Sequence, residues 1–102
     1  MGKIDLKEQV EFSKEKYVSK ILFDSDTIRI VLFCLEKGQE VPPHTVKSQV
    51  IMLVVSGKGS VTVGNSTYKV KPDTVTVCES MQAHGIKADE QMVVLAYIVP
   101  RP

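Results

Sequence analysis

The sequence predicts an all-β domain, an antiparallel sandwich or barrel. Three observations carry this. Short runs rich in β-branched and aromatic residues recur about every 8–12 residues, each closed by turn chemistry. No 3.6-residue apolar periodicity separates them, which argues against alternating strands and helices. Both parities of residues 49–55 and 91–99 are apolar, so these strands are expected to be covered on two faces.

Each element follows from local chemistry. Residues 17–23 (YVSKILF) read as a strand, and Asp24-Ser25-Asp26 supplies a polar turn. Residues 27–35 (TIRIVLFCL) form the next, broken by Lys37-Gly38-Gln39. Pro42-Pro43 forces an extended approach to His44. Residues 49–55 (QVIMLVV) end at Gly57-Lys58-Gly59. Residues 60–63 and 67–71 flank Gly64-Asn65-Ser66, a hairpin signal. Residues 74–78 (TVTVC) follow a turn at Pro72-Asp73, residues 83–87 carry His84, and residues 91–99 (QMVVLAYIV) close the series. A short helix fits only within residues 5–16, so residues 1–16 read as an irregular or helical N-terminal segment and residues 17–102 as one barrel domain.

A chain of 102 residues suits one domain, and one of this size buries roughly 60–70% of its unfolded surface without needing disulfides. Thirteen basic and 12 acidic residues leave a net charge of +1, which gives no electrostatic basis for nucleic acid or an anionic membrane as partner. Residues 1–9 are polar and lack the apolar stretch of a secretory leader, and no run is long enough to span a bilayer. Cys34 and Cys78 sit in apolar runs without metal-site or disulfide spacing, which suits buried thiols in a reducing cytoplasm.

Alternation adds a partner. Val50, Met52 and Val54 share one face and Ile51, Leu53 and Val55 the other; the last strand behaves in the same way. One barrel interior needs only one apolar face. The other is expected to pack on another sheet or subunit, and a homodimer is the natural reading.

Gly38 is followed by five residues and His44, and Gly57 falls thirteen residues after that histidine. Pro72-Asp73 precedes TVTVCESMQA and then His84. This spacing resembles the two motifs of the cupin superfamily, over roughly residues 17–99, and is closest to its small single-domain "conserved barrel" members. The resemblance implies a double-stranded β-helix, a jelly-roll-like conical barrel that is usually dimeric. It also implies a divalent transition metal, with His44 and His84 as ligands. However, Val46 stands where the family places its second histidine, and Val50 where it places a carboxylate.

Two imidazoles alone hold such ions weakly. His44 and His84 are then polar groups of an apolar pocket with Val46, Val50 and Met52, suited to a small, mostly apolar ligand with one or two polar atoms. Three readings follow: a small-molecule-binding barrel without catalysis; a metal-dependent isomerase or oxygenase whose shell is completed by water, Cys34 or Cys78; and an oligomeric scaffold without a pocket. Glu40, Glu79, Met81 and Gln82 are expected on loops near the motifs. No nucleophile elbow, P-loop or dinucleotide motif is present.

Overall fold

A computed structural model describes residues 2–102. The elements in chain order are α1 (Leu6–Gln9), β1 (Val18–Asp24), β2 (Arg29–Leu35), β3 (Glu40–His44), β4 (Gln49–Ser56), β5 (Gly59–Val63), β6 (Ser66–Val70), β7 (Val75–Cys78), β8 (His84–Ala88) and β9 (Met92–Val99). Five strands form one sheet in the order β1-β2-β9-β4-β7, and four form the other in the order β3-β8-β5-β6. All pairings are antiparallel. The two sheets are the all-β barrel the sequence predicts. No helix among the described residues is long and apolar enough to cross a membrane.

Side-chain parity builds the core. Val50, Met52 and Val54 of β4 join Met92, Val94 and Ala96 of β9 between the sheets. Val41, Val61, Val70 and Ile86 meet them from the four-stranded sheet. Turn residues bring the strands into place. Gly57 has φ +80°, and a Cβ there would lie 2.0 Å from the Gln91 carbonyl oxygen, so only glycine fits this crossing.

The second apolar face has a cover that the sequence reading did not foresee. Leu32, Cys34, Val93 and Leu95 form a separate buried cluster outside the barrel, and Leu6, Val10 and Phe12 of the N-terminal segment pack on it. The chain itself thus covers much of the face assigned to another sheet or subunit. Only one helical turn forms in that segment, and its N-cap residue Asp5 makes no side-chain cap. So short a helix is marginal alone, and its apolar residues gain more by spreading over the sheet. The margin at β7 stays open, with Val75 and Val77 exposed.

Two differences from the sequence reading bear on the site. Pro42-Pro43 lies inside strand β3 rather than before one. β3 is an edge strand, where a residue lacking an N–H is tolerated. The C-terminus is also tied down: Arg101 Nε donates to Asp24 Oδ1 at 2.6 Å, and the bond from Arg101, then that from Arg29, holds the Asp24 carboxyl down to about 2. Ser48 Oγ–H donates to the Pro100 carbonyl, so the chain beyond β9 packs beside the start of β4.

Candidate functional site: a histidine pair in an apolar cavity

A bulge sets the site. Val41 pairs with Ile86 and His44 pairs with His84, so two prolines oppose the single residue Gly85. In a regular strand, residues three apart face opposite ways. The extra residue reverses that parity and brings Val41 and His44 to the same cavity. Gly85 makes the bulge possible. A Cβ there would come within 2.9 Å of both Pro43 N and the Val41 carbonyl oxygen, which are main-chain atoms that cannot turn aside.

The ring centroids of His44 and His84 are 4.2 Å apart, with planes inclined at 55°. The two rings line one cavity of about 50 Å³ with Phe33, Val41, Val46, Val50, Met52 and Ile98. All five residues singled out from sequence (His44, Val46, Val50, Met52 and His84) therefore meet there. Phe33, Val41, Gly85, Ile86, Ala96 and Ile98 complete the wall; Ala96 and Ile98 share one parity of β9, but with both faces of that strand apolar the sequence does not say which turns inward.

The two imidazoles differ. His44 is exposed, and its Nδ1–H donates to the Pro42 carbonyl at 3.1 Å. A carbonyl can only accept, so neutral His44 keeps its proton on Nδ1 and its lone pair on Nε2. His84 is 7% exposed, and its Nδ1 is buried without a hydrogen-bond partner. Burial lowers the His84 pKa, and the neighbouring His44 lowers it further; the Gln82 main chain opposes them to a smaller degree. Leaving such a buried nitrogen unpaired costs about 1–3 kcal/mol.

The surrounding polar residues are engaged elsewhere. Met81, 59% exposed, donates its N–H to the Val46 carbonyl at 2.8 Å, in a left-handed conformation (φ +67°). Glu79 accepts from Gln49 Nε2 at 2.6 Å, and Gln82 Oε1 accepts from the Glu79 N–H. Glu40, expected on a loop, is instead the first residue of β3, opposite Lys87 of β8 in register, and both side chains are exposed.

The residues do not fit a resident transition metal. Among the described residues no group of three or more His, Cys, Asp or Glu is placed to hold one. Val46 and Val50, which have no lone pairs, line the cavity where the resemblance expects ligands. Neither thiol can complete a shell. Cys34 lies in the outer cluster, across the sheet from the histidines. The Cys78 thiol contacts the Gln82 and Ala83 carbonyls at 3.4 and 3.5 Å and is not part of the cavity wall. Burial raises the pKa of both thiols, which keeps them protonated and poor ligands.

One consequence is measurable without a ligand. An unfolded His84 titrates near 6.5, and the folded one below that. Between the two values the unfolded chain binds more protons, so this contribution to stability is full above 6.5 and is lost as pH falls toward the folded value. Urea midpoints are expected to drop over that window in the wild type and to drop less in His84→Leu. Equal slopes in the two proteins contradict a buried neutral His84.

Known proteins share this fold. Residues 31–99 match the family model described as "Cupin domain". An RmlC-like cupin from Desulfovibrio desulfuricans superposes with a TM-score of 0.90 at 29% identity, covering 98% of this chain and 97% of that one. TT1209 from Thermus thermophilus superposes at 0.94 with 24% identity over the whole of both chains, a likeness of fold alone. KdgF from Halomonas sp. does so at 0.83 with 21% identity, over 97% of this chain and 94% of that one. No curated protein matches the sequence significantly. With two sheets closing around paired motif histidines, the chain belongs to the cupin superfamily, as a small single-domain member.

Proposed function

We propose that this protein binds a small molecule at the His44–His84 cavity, as a carrier or sensor, without a resident metal. The observation that carries this reading is the unpartnered, buried Nδ1 of His84 beside an exposed second imidazole. A ligand that supplies a partner recovers part of the cost of leaving that nitrogen unpaired. The rest of the wall is apolar, so contact there is by burial.

Cavity size limits what enters. Pockets that enclose a drug-sized ligand are about 300–1,000 Å³, against about 50 Å³ here. That is room for a group of a few heavy atoms, with the remainder of any larger ligand outside, past His44. A scaffold without a pocket leaves the unpaired His84 nitrogen unexplained. A metal-dependent isomerase or oxygenase lacks its donors.

The test is a fragment titration followed by amide and imidazole NMR and by thermal unfolding. Fragments of a few heavy atoms are expected to shift His84, Gly85 and Val46 signals. A bound fragment at about 100 times its Kd is expected to stabilise the fold by about 2.7 kcal/mol. His84→Leu should keep the fold and lose the response. A varied set that leaves the His84 ring signals unmoved rules this reading out.

We also propose a homodimer, in the cytoplasm. Exposed Val75 and Val77 on the outer margin of the larger sheet support the dimer, and two buried unpaired thiols support the reducing compartment. Light scattering should give twice the chain mass, reverting to one chain in Val77→Lys; a monomeric wild type overturns it.

A further inference from the structure

The cavity has an unusual charge inventory. Its only polar side chains are the two imidazoles; no carboxylate, amine, guanidinium, amide or hydroxyl lines it. The neighbouring elements add no counter-ion. On β3, Glu40 points out with its cross-strand neighbour Lys87 of β8. Before β4, Lys47 is exposed, and in the loop before β8, Glu79 is exposed and bound to Gln49. β5 has no charged residue, and Arg29 of β2 is paired with Asp24. The Cys78 thiol donates to main-chain carbonyls. Among the described residues His44 is thus the one titratable group facing His84.

Two imidazoles 4.2 Å apart without an anion are a poor place for a positive charge. A ligand that brings its own negative charge reverses that. The chemistry of the pair also asks for a donor and an acceptor together. His44 Nε2 offers a lone pair, because Nδ1–H is committed to the Pro42 carbonyl. The buried Nδ1 of His84 has no well-formed hydrogen bond, and the Gln82 main chain offers the ring only a minor interaction.

Resting on the binding reading above, we infer that the cavity takes the carboxyl end of a small carboxylic acid. The acid O–H bond breaks and an N–H bond forms at His44 Nε2, so the bound pair is carboxylate and imidazolium, neutral overall. The second carboxylate oxygen accepts from His84. Hydrogen bonds between charged partners are about twice as strong as neutral ones. A carboxyl group is three heavy atoms, which fits a cavity of about 50 Å³. The alkyl part lies against the apolar wall formed by Val46, Val50 and Ile98. Where the imidazoles are neutral before binding, an acid that is ionised in solution takes up one proton as it binds.

The experiment titrates acetate, propionate and isobutyrate against the matching amides, which have the same shape but no proton to give. Binding is read from the imidazole carbon-bound proton shifts at about pH 5.5 and about pH 7.5, on either side of an ordinary histidine pKa. The acids are expected to bind at least about tenfold more tightly than the amides at the lower pH, and to weaken by about tenfold per pH unit where one proton is taken up. Calorimetry at about pH 7.5, in buffers of different ionisation enthalpy, should give about one proton per acid bound. His44→Gln, an exposed position expected to leave the fold intact, should abolish both the proton uptake and the preference for acids. Amides that bind as well as acids, without pH dependence, overturn the carboxyl inference and leave the pocket standing. Neutral fragments that move His84 while acids do not have the same meaning. Silence from every probe sinks the inference and the binding reading together.

Discussion

The site depends on one irregularity, the bulge in which Pro42 and Pro43 face Gly85. Without it, the edge strand would keep its two-residue alternation, and His44 would turn away from the barrel. With it, His44 sits opposite His84 and the rings come within 4.2 Å. Three residue types make this possible at once. The prolines need no ladder donor on an edge strand, and Gly85 lacks the Cβ that would otherwise lie 2.9 Å from Pro43 N and the Val41 carbonyl oxygen. The imidazoles follow on either side of the bulge.

The rest of the fold supports that edge from both sides. Inside, Val50 and Met52 of β4 and Ala96 and Ile98 of β9 form the apolar wall behind the rings. Outside, Leu6, Val10 and Phe12 seal the larger sheet. The loop before β8 is fastened to the chain after β3 by the Met81–Val46 main-chain bond. The histidines therefore occupy a rim tied on several sides. That is the condition under which a buried unpaired nitrogen can persist rather than collapse onto a partner.

Much of this was legible in the sequence. The spacing of Gly38, His44, Gly57 and His84 located the pair, and the motif position of Val50, with Met52 on the same face, put both beside it. Turn residues such as Gly57 marked the strand ends. Other features were not legible, for physical reasons. When both faces of a strand are apolar, parity cannot say which points inward, so the side on which Cys34 lies was open. Residues 1–16 have no periodicity, because their apolar residues serve a surface made by distant strands; the cover over Leu32 and Leu95 is a tertiary fact. The cavity is small because Phe33, Ile86 and Ile98 arrive from three different strands, and no local pattern encodes that convergence. The Pro-Pro pair signalled an extended backbone, but its role as a bulge needed the partner strand.

Elemental analysis of the untagged, purified protein beside His44→Ala tests the central claim, that this histidine pair serves a ligand rather than a metal. Nickel, copper, iron and zinc should each be added in excess and removed by desalting beforehand. The account expects far less than one metal per chain in both proteins. Near-stoichiometric metal in the wild type, lost in His44→Ala, would contradict it and make the two imidazoles ligands despite Val46 and Val50.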